Sequence, residues 1–134
     1  MADDRNFILK IITPDRVFYE AEVSMVEFNT IEGEVGIYRN HIPMTMIIAP
    51  GILTITNGEE VSEAALHAGF AEVLPDQVTI LAEIIEWPGE IDLERAEESM
   101  HRAEERIKEH APGTDMKRAE LSLKRAVARI EAVK

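Results

Sequence analysis

Residues 92–134, DLERAEESMHRAEERIKEHAPGTDMKRAELSLKRAVARIEAVK, decide the C-terminal architecture. Leu93, Ala96, Met100, Ala103 and Ile107 recur at spacings of three and four, and Met116, Ala119, Leu123, Ala126, Ile130 and Val133 repeat the pattern. Apolar residues at that spacing line one face of a helix. His110-Ala111-Pro112-Gly113-Thr114 separates the two runs, because proline and glycine both disfavour a helix interior. The pattern predicts two helices, capped by Asp92 and Thr114. A connection this short makes them antiparallel neighbours. Alanines in the seam let the two backbones approach closely.

The flanks of the seam sort by charge. One flank carries Asp92, Arg95, Ser99, Arg102 and Arg106 on the first helix, and Arg118, Ser122, Arg125 and Arg129 on the second. The other alternates in sign, with Glu94, Glu97, Glu104 and Lys108 against Lys117, Glu120, Lys124 and Glu131. The alternating flank reads as ordinary surface ion pairing, which contributes little. The arginine flank fits an anionic ligand or an acidic partner, since guanidinium forks suit phosphate and carboxylate. It also fits a plain solvated stripe. Leu121, Val127 and Ala128 form a second apolar stripe on the second helix.

Upstream the period changes to two. Phe7 to Ile12, Val17 to Tyr19 and Val23 to Thr30 read as strands, the first ended by Thr13-Pro14-Asp15. Two glycines in Glu32-Gly33-Glu34-Val35-Gly36-Ile37 mark a turn or bulge. Pro43 to Ile48 is an apolar run, and Ile52 to Thr56 is a strand closed by Asn57-Gly58, a type I′ hairpin dipeptide. Val61 to Leu66, Gly69 to Leu74 and Val78 to Ile85 follow as three more strands. Many short strands punctuated this way predict a β-sandwich or barrel. Trp87-Pro88-Gly89 ends them, with Trp87 as an apolar plug between sandwich and hairpin. The expected division is residues 1–87 and 88–134.

The formal net charge of −12 is uneven: residues 1–87 hold 15 acids against 4 bases. That argues against nucleic acid as a partner. With no cysteine there is no disulfide framework and no thiolate metal site. Met1-Ala2-Asp3-Asp4-Arg5 does not read as a secretory leader. No apolar stretch is long enough to span a membrane. No phosphate-binding glycine loop, Gly-x-Ser-x-Gly elbow or metal-spaced histidine pair occurs, so neither a catalytic residue nor a metal ligand is assigned. His101 reads as solvated, His110 as a helix-end residue where a cation suits the dipole, and His67 as structural.

An acidic sandwich followed by a helical hairpin resembles the epsilon subunit of the bacterial rotary ATP synthase. The likeness rests on Thr13-Pro14-Asp15, on Glu32 to Ile37 with His41-Ile42-Pro43, on Pro75 to Ala82, on Ile91-Asp92-Leu93-Glu94-Arg95-Ala96, and on Arg118 to Leu121 with Lys124-Arg125-Ala126. It departs from the family at Arg39-Asn40, where Pro-Gly is frequent, and at Ala68-Gly69, where paired glycines are usual. Asparagine still tolerates the left-handed conformation.

The resemblance implies an α+β chain of two domains, an antiparallel β-sandwich and an antiparallel two-helix hairpin. It implies a non-catalytic rotor subunit of a proton- or sodium-translocating ATP synthase, peripheral on the cytoplasmic face of a bacterial membrane. The sandwich would contact the gamma subunit and the c-ring, the latter around Glu32, Glu34 and His41. The hairpin would fold against the sandwich, docking Leu121, Val127 and Ala128 there, or extend along gamma into the alpha/beta catalytic head, docking that stripe on a partner, and hinder hydrolysis. ATP would be a regulatory ligand of Glu86, Ile91, Asp92, Arg95, Ala96, Arg102, Arg125 and Arg129. Five of these already stand on the arginine flank. The alternative reading is a free-standing nucleotide- or anion-binding module.

Overall fold

Phe7, Leu9 and Ile11 turn inward from β1 (Phe7–Ile12) while Ile8, Lys10 and Ile12 turn outward, as a period of two requires. The computed structural model describes residues 5–134, so the reading of Met1 to Asp4 as no part of a leader lies outside the described residues. Seven further strands follow: β2 (Val17–Val23), β3 (Met25–Thr30), β4 (Gly33–Ile37), β5 (Met44–Ile47), β6 (Gly51–Asn57), β7 (Glu60–Val73) and β8 (Gln77–Glu86). They pair in the order β2-β1-β8-β7-β6-β3-β4, with β5 also on β7. Every pair is antiparallel except β1 with β8, which is parallel.

The stretch read as two strands, Val61 to Leu66 and Gly69 to Leu74, is one strand of 14 residues. Its first half pairs with β6 and its second with β5, while β8 runs along the other edge. The pairing shifts at Ala68 and Gly69, and Gly69 has φ 138°. A Cβ there would collide with the Leu81 carbonyl oxygen. The glycine therefore bends β7 from one layer of the sandwich into the other. Between the layers lies a core that includes Leu9, Ile11, Phe28, Leu53, Leu66, Val78 and Ile80.

Two other turns differ from expectation. Gly33 and Gly36 do not form the turn; both lie in β4, and the turn before it is Ile31-Glu32. There Thr30 Oγ1 accepts from Glu32 N and donates to the Gly33 carbonyl. In the β6–β7 hairpin, Asn57 pairs with Glu60, so Gly58-Glu59 is the loop. Only Gly58 has positive φ, 63°, which is the II′ pattern rather than I′. Asn40 does adopt the left-handed conformation, at φ 66°.

The hairpin is α1 (Leu93–Glu109) and α2 (Met116–Val133). Ala96, Ala103, Ala119 and Ala126 are buried in the seam, and His110 closes α1 in the left-handed conformation. Asp115 caps α2, accepting from Arg118 N at 3.1 Å; Thr114, one residue too early, sits in the turn instead. α2 packs on β6 and β7. Of the stripe expected to dock, only Ala128 is buried; Leu121 and Val127 remain 37% and 36% exposed. Ala65 and His67 on β7 are buried under this helix, while Ala64 and Leu66 face the core. Four consecutive buried residues thus follow from cover on both faces.

The other outer face is uncovered. Ile47, Phe70, Leu81, Ile12 and Val17 are register partners across β5, β7, β8, β1 and β2. Ile47, Phe70, Leu81 and Val17 are each about half exposed. Ile12, Phe70 and Leu81 line a shallow cavity of 340 Å³ over Gly69. Among the described residues, no helix is long and apolar enough to cross a membrane.

Candidate functional site

The chain leaves the sheet at Glu86 and enters α1 at Leu93, and the segment between them is tightly pinned. Trp87 stacks on Phe18 of β2 with centroids 4.3 Å apart and meets Tyr19 edge-on. Its anchor is on the sandwich side. Pro88–Glu90 form one 3-10 turn, in which Glu90 Oε1 accepts from Trp87 N at 3.0 Å. Arg16 NH2 donates to both Glu90 oxygens, at 3.0 and 2.8 Å. The Trp87 bond first, then Arg16, holds the Glu90 carboxyl below its ordinary range. Asp92 caps α1, its Oδ1 accepting from Arg95 N at 3.1 Å.

Arg129 reaches back from α2 to the sheet. Its Nε donates to Glu86 Oε1 at 2.6 Å, and His67 Nε2 lies 3.0 Å from the same oxygen. β7, β8 and α2 therefore meet at one carboxylate. Charge-assisted bonds of this kind are worth about 1.5–3 kcal/mol each. His67 and Glu86 were read separately, the first as structural; the structure bonds them. Burial, reinforced by Arg129, lowers the His67 pKa to about 4.

Around this carboxylate is a cavity of 300 Å³, lined by Glu86, Glu90, Asp92, Arg95, Ala96, Ser99 and Arg129. That is the lower end of the small-ligand range. Glu86, Asp92, Arg95, Ala96 and Arg129 are thus brought together from one strand and two helices. Ile91, Arg102 and Arg125 do not line it. Arg102 NH2 donates to Ser99 Oγ at 3.1 Å and so stands one residue away. Arg125 is half-buried, with its Nε buried and without a hydrogen-bond partner. Glu90 and Ser99 are lining residues absent from the expected set. Ser99 was legible, lying on the arginine flank at a helical spacing from Arg95.

Glu32 and Glu34 are exposed on the β3–β4 hairpin, and His41 Nδ1 donates to the Ile42 carbonyl at 2.8 Å in the loop before β5. Ile31 and Ile42 beside them are also exposed. A larger cavity, 630 Å³, lies among Arg5, Tyr38, Arg39 and Asn57 and contains no residue of the expected set. Among the described residues, no three of His, Asp and Glu gather to hold a metal ion.

Comparison with known proteins bears on this arrangement. The family model described as ATP synthase, Delta/Epsilon chain, beta-sandwich domain matches residues 6–88, and the one for the long alpha-helix domain matches residues 90–134. The ATP synthase epsilon chain of Halalkalibacterium halodurans is 45% identical over 124 residues, 92% of this chain and 93% of that one. That of Moorella thermoacetica is 43% identical over 125 residues, 92% and 93% of the two chains. A chain in the cryo-EM structure of the Euglena gracilis mitochondrial ATP synthase, OSCP/F1/c-ring, superposes with a TM-score of 0.81 at 26% identity, covering 95% of this chain and 80% of that one. A chain of the Tetrahymena thermophila central stalk and c-ring shares the fold, with a TM-score of 0.60 at 17% identity and 96% of each chain covered. Epsilon chains are non-catalytic subunits of their complex. With both halves matched in order and relatives aligned over nearly its whole length, the chain belongs to the delta/epsilon chain family of ATP synthase.

Proposed function

We propose that this chain is a central-stalk subunit of a proton- or sodium-translocating ATP synthase and that its hairpin regulates hydrolysis by sensing ATP. The observation that carries the sensing is the junction cavity, to which β8, α1 and α2 all contribute polar side chains. A ligand there would tie the hairpin to the sheet. Arg129 uses one N–H on Glu86 and keeps its terminal nitrogens for phosphate. Arg95 would add a second cation, with Arg102 and Arg125 close behind it. Glu86 Oε1 already takes two donors, which leaves Oε2 to accept from an adenine amino group or a ribose hydroxyl. Asp92 can contribute in the same way. Ile91 and Ala96 would supply apolar contact.

The uncovered row from Ile47 to Val17 supports a large partner and counts against a free-standing module. Contiguous apolar surface of this kind marks a protein interface. We assign it to the gamma subunit. The end bearing Glu32, Glu34 and His41, with Ile31 and Ile42 exposed, is assigned to the c-ring. The extended hairpin would reach the alpha/beta head, with Leu121 and Val127 available for that contact. In this reading the chain is peripheral at the cytoplasmic face of a bacterial membrane. The division into residues 1–87 and 88–134 is part of the proposal, since Trp87 packs on β2 and the seam is internal to the hairpin.

Reconstituted ATP synthase tests the assignment. A chain ending at Trp87 should still assemble and should release ATP hydrolysis from inhibition. Full-length chain carrying Phe70→Glu and Leu81→Glu should fail to join gamma, because two charges would be buried in an apolar contact. Unchanged hydrolysis with the truncated chain would refute the regulatory role. Normal assembly of the double variant would refute the gamma face.

A further inference from the structure

α2 covers a histidine. His67 is 1% exposed on β7, and its Nε2 shares Glu86 Oε1 with Arg129 Nε. A carboxylate only accepts, so the ring hydrogen is on Nε2 and Nδ1 is bare. Nδ1 is buried and has no hydrogen-bond partner. The charged groups acting on the ring are Glu86 from β8, and Arg129 and Arg125 from α2; β6 and β5, the other strands beside β7, contribute none. A proton arriving at Nδ1 would find no acceptor. It would also place a third cation among two arginines and one carboxylate, on a ring that is itself shut off from water.

We propose that His67 is a positioning residue that holds Glu86 toward Arg129 as a neutral ring, so that protonation of His67 releases α2 from the sheet. This holds whether or not the cavity takes ATP. Burial, then Arg129, push the ring down from 6.5 to about 4, against the opposing pull of Glu86. A histidine depressed on docking gives docking its full strength above pH 6.5, and that strength is lost as pH falls toward 4. Once α2 lifts, both arginines leave and water reaches the ring. Both changes favour the charged form, so release sustains itself.

Amide hydrogen exchange of residues 116–133 in the full chain tests this, compared at pH 7 and pH 5 after correction for intrinsic exchange. In wild type the opening equilibrium should rise about tenfold or more. His67→Gln keeps an N–H for Glu86 and takes no proton; its opening should change less than about twofold. Protonation of Glu86 would affect both chains alike. Equal pH dependence in the two would overturn the proposal. Ring titration by NMR decides the matter should the glutamine variant not fold. Wild-type His67 should titrate below pH 5, and Arg129→Ala should raise its midpoint by about one pH unit. One shared midpoint would overturn it equally.

Discussion

Gly69→Val is expected to destabilise the sandwich by about 3 kcal/mol or more, most of it backbone strain and collision. Gly69 sits at φ 138°, a conformation L side chains rarely adopt, and a Cβ would meet the Leu81 carbonyl of the paired strand. Neither the Leu81 carbonyl nor the Ala82 Cα can yield cheaply, since both are main chain in a ladder. For a domain of this size the melting midpoint should fall by about 12 °C or more. Ala68→Gly, next to it and without positive φ, should cost no more than about 1 kcal/mol. Thermal unfolding by circular dichroism distinguishes them. Equal midpoints would mean that β7 bends by another route.

Arg129→Glu should detach α2 while leaving the sandwich folded. The change removes a 2.6 Å bond to Glu86 and sets a second carboxylate against it. The two side chains are 29% and 25% exposed, so solvent screens part of the repulsion. A loss of about 2–3 kcal/mol remains reasonable for a bonded ion pair turned into like charges. Opening of residues 116–133, measured by exchange at neutral pH, should rise roughly thirtyfold to a hundredfold. Protection in β3, β6 and β8 should be unchanged. Unaltered protection in α2 would show that Ala128 and the apolar contacts alone hold the helix.

The parts of the fold legible in the sequence are those with local signals. The alanine seam specified the hairpin, and proline and glycine marked its turn. Period-two alternation specified most strands. The parallel pairing of β1 with β8 had no local signal, because Leu9 and Val78 are brought together only by the closed sheet. β7 was divided in two at His67-Ala68, where the pairing shifts, whereas the strand runs on through a bulge and uses Gly69 to turn a corner. Asn57-Gly58 was one residue out of place because the pairing of Asn57 with Glu60 sets the loop. The row through Phe70 and Leu81 escaped because alternation directs attention to the buried face.

The site divides the same way. Asp92, Arg95 and Arg129 were gathered by helical spacing alone. Glu86 and His67, 19 residues apart on adjacent strands, are joined only by sheet register. Leu121 and Val127 were expected to dock, yet only Ala128 of that stripe is buried and the other two stay more than a third exposed. A periodic pattern names a helix face; it does not say which neighbour covers it.

The central claim is that the arginine face of the hairpin, together with Glu86, forms a site for ATP. Calorimetric titration of the full chain with ATP at physiological salt tests it most directly, using wild type, Arg95→Ala, Arg125→Ala and Lys124→Ala. Arg95 lines the cavity and offers charge-assisted bonds of about 1.5–3 kcal/mol, so losing it should weaken binding by roughly tenfold to a hundredfold; losing Arg125, which is outside the lining, should weaken it less, though by more than about threefold. Lys124, on the opposite flank and exposed, should matter less than about twofold. Saturable binding with that contrast is the predicted result. No binding at millimolar ATP, or equal losses in all three variants, would contradict the account.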